Sequence, residues 1–227
     1  IDRLTQKSNA EYLAGVSNAI EYELINKVDM LDRTAKTLSD SSNLQTYIMS
    51  ENTKEREYAR RMTEERMFEI NTDLNQILGY IILDKDGTEM TVSNVEAQYA
   101  EKAEENYERY KEEKLTNGIF FDISDGLLSI YKYKDVMYYN LDLAQVDLIG
   151  TLVTVDQINI LELGMKLNVL ESVGIRLVSK DEGKAELKLF TQNKKYSGRV
   201  ISKTADITGT AWYTDIKMYD KNVSSDY

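Results

Sequence analysis

Neither cysteine nor histidine occurs among the 227 residues. Without cysteine the chain can form no disulfide and no thiolate metal site, and its redox compartment leaves no mark. Without histidine, every mechanism that needs an imidazole as nucleophile, base, metal ligand or phosphoacceptor is excluded from this stretch. Also missing is any apolar run of 18 residues, so no segment reads as a membrane-spanning helix, and no signal peptide opens the chain. Basic charge is in deficit. With 28 Lys and Arg against 39 Asp and Glu the formal net charge is -11, which repels phosphate backbones, and no nucleic-acid partner is expected. No glycine-rich phosphate loop appears, and no lysine stands in a recognisable catalytic setting. We therefore expect a non-catalytic fragment with no cofactor and no metal.

What the chain does have is enough apolar residues to bury a core, over a length that allows one large domain or two small ones. From Ile1 to about Ser39, apolar residues recur at Leu4, Leu13, Val16, Ile20, Leu24, Val28, Leu31, Ala35 and Leu38. These steps of three, four and seven trace one stripe of a helix roughly 57 Å long at 1.5 Å per residue, a strut as well as a core element. "SDSSN" at 39–43 then reads as a loop, a short helix starts near Leu44 and breaks around Glu51 to Thr53, and a charged third helix runs from Lys54 to about Leu78. Its apolar side is expected to carry Tyr58, Met62, Met67, Ile70 and Leu74.

At this point the period changes from helical to alternating. "LGYIILDKDGTEMTVS" is a hairpin built on an Asp-Gly turn. Asn94 to Leu115 is polar and helical in propensity. Four strand-like runs follow, "IFFDIS", "LLSIYKY", "VMYYNLDL" and "LIGTLVTVD", with turns expected at Asp125-Gly126 and Lys134-Asp135. Gln157 to Leu170 reads as a connecting helix. A second hairpin, "IRLVSKDEGKAEL", then repeats the first around Gly183, and further strands turn at Gly198 and Gly209. This last unit is small for an independent core and is expected to lean on the long N-terminal helix.

The order of these pieces resembles the extracellular Cache sensor domains of bacterial transmembrane receptors, particularly the double Cache form of Gram-positive histidine kinases. The resemblance rests on the long helix, "IILDKDGTE", "IGTLVTVDQINILEL", "IRLVSKDEGKAEL" and "GTAWYTDIKMYD", which together span nearly the whole chain. It implies an α+β fold: a long N-terminal helix followed by two PAS-like antiparallel-sheet modules, the second one reduced. The expected boundaries are 1–43 for the helix and loop, 44–156 for a membrane-distal module, 157–173 for a linker helix and 174–227 for a membrane-proximal module. It further implies an extracellular ligand-sensing region of a two-component sensor histidine kinase, tethered through flanking transmembrane helices outside this sequence and paired as a homodimer. The chain opens on isoleucine and reads as a piece of a longer protein, with Ile1 and Tyr227 expected at one end and Leu4 to Val16 free for a partner helix. Two rivals use the same features: an interaction or dimerisation module with no small ligand, and the sensor region of a chemoreceptor.

The resemblance puts a pocket for an unidentified small molecule between the first sheet and the segment from Val95 to Gly118, lined by Tyr110, Phe121, Asp122, Tyr131, Tyr133, Tyr139 and Asp142. Tyrosine offers a flat apolar face with a hydroxyl tip, and an inward carboxylate, Asp122 or Asp142, would anchor a polar group. Equally, Tyr131 and Tyr133 share one side of an alternating strand and could simply cover core. The Arg-x-Trp-aromatic signature of the amino-acid-binding branch is absent: Arg109 is followed by "YKEEKL", and the single tryptophan, Trp212, lies near the last strand in a structural role. An amino-acid ligand is not supported. Asp84 and Asp86, like Asp122 and Asp125, flank turns where acids are ordinarily solvated or form Asx turns. "DKDG" also opens like an EF-hand loop but has Val95 where the twelfth-position glutamate belongs, so calcium is not expected there.

Overall fold

A computed structural model describes residues 2–73, 77–90, 95–112, 117–180, 185–192 and 199–219. The fold class is α+β, as expected, with one long helix and two antiparallel sheets. Helix α1 runs Asp2–Ser39. Its uninterrupted 3.6-residue period makes it so, and Leu13, Val16, Ile20, Leu24, Val28, Leu31, Ala35 and Leu38 are all buried. Leu4 is 75% exposed, so of the stretch expected to be free for a partner, Leu13 and Val16 are instead spent inside the chain.

The short helix α2 spans Ser42–Met49, and α3 spans Thr53–Asp73. The inward face of α3 differs from the expected one. Ala59, Thr63, Met67 and Ile70 are buried, whereas Tyr58 is 58% exposed and Met62 half-buried; Leu74 lies outside the described residues. Small Ala59 and Thr63 let the helix approach closely, and the Thr63 hydroxyl donates to the Ala59 carbonyl at 2.8 Å, so its polarity costs nothing inside.

The first sheet has the order β2-β1-β5-β4-β3. Its strands are β1 (Gly79–Asp84), β2 (Glu89–Met90), β3 (Ile119–Ser124), β4 (Leu127–Asn140) and β5 (Gln145–Asn159). The β1–β2 turn is held by Asp84, whose carboxylate accepts from the amides of Asp86 and Thr88, each at 2.9 Å. That local work accounts for the acidic "DKDG". At the β3–β4 turn Asp125 (φ 50°) and Gly126 (φ 75°) are both left-handed, the backbone of a type I′ hairpin.

No turn occurs at Lys134-Asp135; β4 runs straight through, and the chain reverses at 141–144. The reversal is set by Asn140, whose side-chain oxygen accepts from the amides of Asp142 (3.0 Å) and Leu143 (3.2 Å), and by Ala144 at φ 48°. Likewise β5 continues to Asn159, whose side chain caps α6 (Ile160–Lys166) by accepting from the Glu162 amide at 3.2 Å. The connecting helix is thus shorter than the expected 157–170. Asn94 to Leu115 is two helices, α4 (Ala97–Glu105) and α5 (Tyr107–Glu112), parted at Asn106.

The second sheet, order β7-β6-β9-β8, comprises β6 (Val173–Ser179), β7 (Glu186–Phe190), β8 (Val200–Asp206) and β9 (Trp212–Tyr219). Gly183 and Gly198, the two expected turn glycines, lie outside the described residues, as do both termini; Gly209 is left-handed at φ 81°. By contact density the chain forms two compact units: one of residues 1–26, 122–128 and 158–227, the other of 27–121 and 129–157. In the first, the early part of α1 is tied to the segment after α6 through Tyr12, whose hydroxyl donates to the Asn168 carbonyl and accepts from the Leu170 amide, both at 2.9 Å. The small sheet's unit does lean on the long helix. In the second unit the later part of α1 meets the first sheet through the Lys27–Asp156 ion pair at 2.6 Å, Lys132–Asp32 at 3.1 Å and the Thr154 hydroxyl on the Leu31 carbonyl at 3.3 Å.

Candidate functional site

Alternation divides the first sheet into two faces. Tyr80, Ile82, Val136 and Leu152 join the helical core of Ala35, Leu38, Leu44, Met67 and Ile70. On the other face Ile81, Leu83, Phe120, Tyr131, Tyr133, Val153 and Val155 meet α4 and α5. Those helices are short, and Ala100 and Ala103 bring α4 close to the sheet. Tyr107 seats α5 on the first hairpin: its hydroxyl donates to the Lys85 carbonyl at 3.0 Å, and its ring occupies the space a Cβ on Gly87 would fill.

Tyr133 stands at the centre of this face. Its ring lies 5.1 Å from that of Tyr110 and 5.2 Å, edge to face, from Phe120, and its hydroxyl donates to the Ala103 carbonyl at 2.7 Å. The Tyr110 hydroxyl donates to Asp135 Oδ1 at 2.8 Å. Burial pushes both hydroxyls above the ordinary tyrosine range, reinforced for Tyr110 by its bond to the Asp135 carboxylate. Both stay protonated and act as donors at neutral pH. Further along the same face the Gln157 amide donates to the Tyr99 hydroxyl and, at 3.3 Å, to Ser129 Oγ. The Arg109 guanidinium covers the Phe120 ring at 5.4 Å. An aromatic wall thus has a polar group at each end: Tyr110 with Asp135, and Tyr99 with Gln157 and Ser129.

Of the residues expected to line a site, Tyr110, Tyr131 and Tyr133 come together here, and Phe121 is buried on the next strand. Asp122 is half-buried and counted with the other compact unit. Tyr139 is 53% exposed near the end of β4, and Asp142 sits in the exposed turn after it. Neither joins the Tyr110–Tyr133 group. The polar residues that do share the wall, Asp135, Gln157, Ser129 and Tyr99, were not among the expected ones. Parity along an unbroken β4 is the signal that finds two of them, because Ser129, Tyr131, Tyr133 and Asp135 all fall on one face. Aromatic walls with hydrogen-bond donors and acceptors at both ends suit reversible binding. Replacing Tyr133 by phenylalanine is expected to cost about 1–2 kcal/mol, the loss of one buried hydrogen bond that leaves the Ala103 carbonyl behind, measured by urea denaturation.

No protein-family model matches the sequence, and no curated protein matches it significantly. Among solved structures, an extracellular ligand binding receptor from Desulfohalobium retbaense DSM5692 has a similar fold, with a TM-score of 0.51 and 11% identity over 92% of this chain and 40% of that one. The present chain spans about 40% of that protein's length, and the likeness is one of fold. The ligand binding domain of the Pseudomonas aeruginosa PAO1 amino acid chemoreceptor PctB, in complex with L-Arg, aligns over 96% of each chain with 14% identity and a TM-score of 0.48, too loose a likeness to carry an argument. Among the described residues no helix is long and apolar enough to cross a membrane.

Proposed function

We propose that the chain is the extracellular ligand-sensing region of a bacterial transmembrane receptor, specifically a two-component sensor histidine kinase held by flanking membrane helices and working as a homodimer. The observation that carries this reading is a repeated strand order. In one sheet the first hairpin lies beside the last strand, β2-β1-β5-β4-β3; in the other the same order recurs with one edge strand fewer, β7-β6-β9-β8. That supports a full module, 44–156, and a reduced one, 174–227, joined by 157–173 and preceded by a helix and loop over 1–43.

The ligand site we propose is the wall of Tyr110, Tyr131 and Tyr133, with Asp135 taking the anchoring role first sought at Asp122 or Asp142. Signalling is a population shift between two packings of α4 and α5 on the sheet. The Gln157 side chain reaches the site face, and its backbone N–H donates at 2.8 Å to the carboxylate of Asp156, which also holds Lys27 of α1. A ligand that draws on Gln157 therefore acts one residue away from the ion pair to the long helix. The test is a thermal-shift screen of small metabolites: a true ligand at a hundredfold excess over its dissociation constant stabilises by about 2.7 kcal/mol, and Asp135→Asn should abolish most of that gain. A hit that stabilises Asp135→Asn and Tyr110→Phe as much as the parent would rule this wall out. The kinase reading is checked on the flanking sequence, which should carry an apolar segment of about 20 residues on each side and a kinase core beyond the second.

A further inference from the structure

Charge is unevenly divided along the sequence. Residues 174–227, which hold the second sheet, carry ten Lys and Arg against seven Asp and Glu, a formal +3, whereas residues 1–173 carry 18 against 32, a formal -14. Part of that basic excess lies on one face of the sheet. Register sets Lys217 opposite Gly174, and both Lys188 and Asp215 opposite Arg176, and residues directly opposite each other share a face. Ile175, Leu177, Ile216 and Met218 take the other, buried face. On the basic face a hollow of about 150 Å³ opens over Gly174, lined by Arg176, Lys188, Lys217, Gln192 and Tyr219 and by no carboxylate. Gly174 makes the hollow. The nearest atom to a Cβ there would be the Phe190 carbonyl oxygen, 3.7 Å away, so the floor is bare backbone.

Two carboxylates flank the hollow without neutralising it. Glu186 and Asp215 both engage Arg176, and Lys217 lies 3.9 Å from Asp215. Lys188 is exposed and has no ion-pair partner among the described residues. Three cations thus face two carboxylates, and the surplus is positive. Size limits the occupant. At about 150 Å³ the hollow is smaller than the roughly 300–1,000 Å³ of a metabolite pocket, so it accepts one end of a larger anion. We infer that this face docks on an anionic phospholipid bilayer, with a headgroup phosphate seated over Gly174 between Arg176, Lys188 and Lys217, and Tyr219 at headgroup level. A bilayer presents such groups side by side, and it repels the acidic remainder of the chain, so this basic face is the one that approaches. The receptor reading puts 174–227 nearest the membrane but asks for no lipid contact. The inference goes beyond it and makes no use of the tyrosine wall, whose ligand screen succeeds or fails independently.

Co-sedimentation of the 227-residue chain with extruded vesicles tests it. Phosphatidylcholine vesicles containing phosphatidylglycerol should bind the chain at least about tenfold more tightly than pure phosphatidylcholine, and the preference should shrink between about 50 and 200 mM salt as screening grows. The Lys188→Gln, Lys217→Gln double variant should lose about fivefold in affinity for each charge removed. Gly174→Val keeps every charge and suits a strand, yet it should lose at least about fivefold by filling the hollow. Lys36→Gln and Lys54→Gln, exposed and outside this unit, should bind as the parent does. Circular dichroism verifies the fold of each variant. No preference for the anionic vesicles, or parent-like binding by both Gly174→Val and the double lysine variant, overturns the proposal. So does thermal stabilisation by inorganic phosphate over chloride at matched ionic strength, lost in Gly174→Val and unaccompanied by vesicle binding, which would make the hollow a site for soluble phosphate.

Discussion

Replacing Trp212 by alanine is expected to destabilise the unit that contains the second sheet by about 3–5 kcal/mol, the range for deleting a large buried aromatic. Register places the ring on the inner face: Trp212 pairs with Ser179, Thr214 with Leu177, Ile216 with Ile175 and Met218 with Val173. All eight are buried, and Trp212 itself is only 2% exposed. The residue also closes the turn before β9. Its carbonyl accepts from the Ile207 amide at 3.0 Å, and its amide donates to the Thr210 hydroxyl at 3.1 Å. Alanine keeps those backbone bonds but leaves a cavity in a four-stranded sheet. Calorimetric melting should fall by roughly 10 °C, at about 2–4 °C per kcal/mol for a chain of this size. Trp212→Phe should recover more than half of the loss. Because Trp212 is the chain's one tryptophan, its emission in the parent reports this unit alone, and a blue-shifted spectrum that reddens at the transition should mark the same melting event. A loss below about 1 kcal/mol for Trp212→Ala would mean that the ring is not packed as described.

Legibility followed the length over which one signal persisted. The stripe from Leu13 to Leu38 repeats through about seven helical turns without interruption, and α1 lies where the period puts it. Asp125-Gly126 was readable because the turn needs left-handed backbone at both positions, and the sequence supplies the two residue types that tolerate it. Lys134-Asp135 misled because charge is a poor marker of a turn inside a long strand. Asp135 is accommodated by the Tyr110 hydroxyl, a partner 25 positions away that no local pattern reveals. The true reversal depends on Asn140 bonding its own neighbours and on a left-handed alanine, neither of which carries a glycine signal. That one error hid the polar end of the candidate wall, since breaking β4 at 134 discards the parity linking Tyr133 to Asp135. Gln157 was lost in the same way, assigned to a helix whose start Asn159 delays by three residues, to Ile160. In α3 the reading followed bulk, Tyr58 and Met62, where packing selected the small residues that permit close approach.

Gly118→Ala is expected to cost about 3 kcal/mol or more and to disturb the tyrosine wall directly. Gly118 is left-handed at φ 71° and follows Asn117 at φ 46°, so the chain enters β3 through two left-handed positions. For alanine the left-handed backbone alone costs about 1–2 kcal/mol. The rest is steric. A Cβ here would stand 2.4 Å from the Tyr133 carbonyl oxygen and 3.3 Å from Tyr110 Cε2, and a backbone carbonyl in a paired strand cannot rotate away as a side chain would. The Gly118 carbonyl also accepts from the Tyr133 amide at 2.7 Å, so pushing the segment outward weakens that bond as well. Gly126→Ala is the matched comparison: φ is 75°, yet nothing lies within 4 Å of its would-be Cβ. It should lose only the backbone share, about 1–2 kcal/mol. Urea denaturation of both variants isolates the carbonyl contact as their difference, and near-ultraviolet circular dichroism should change for Gly118→Ala but not for Gly126→Ala, because only the first moves the Tyr110–Tyr133 pair. Equal losses and an unchanged tyrosine signal in both would show that the strand entrance at Gly118 does not press on Tyr133, and with it would go the close packing that makes Tyr110, Tyr133 and Asp135 a single wall.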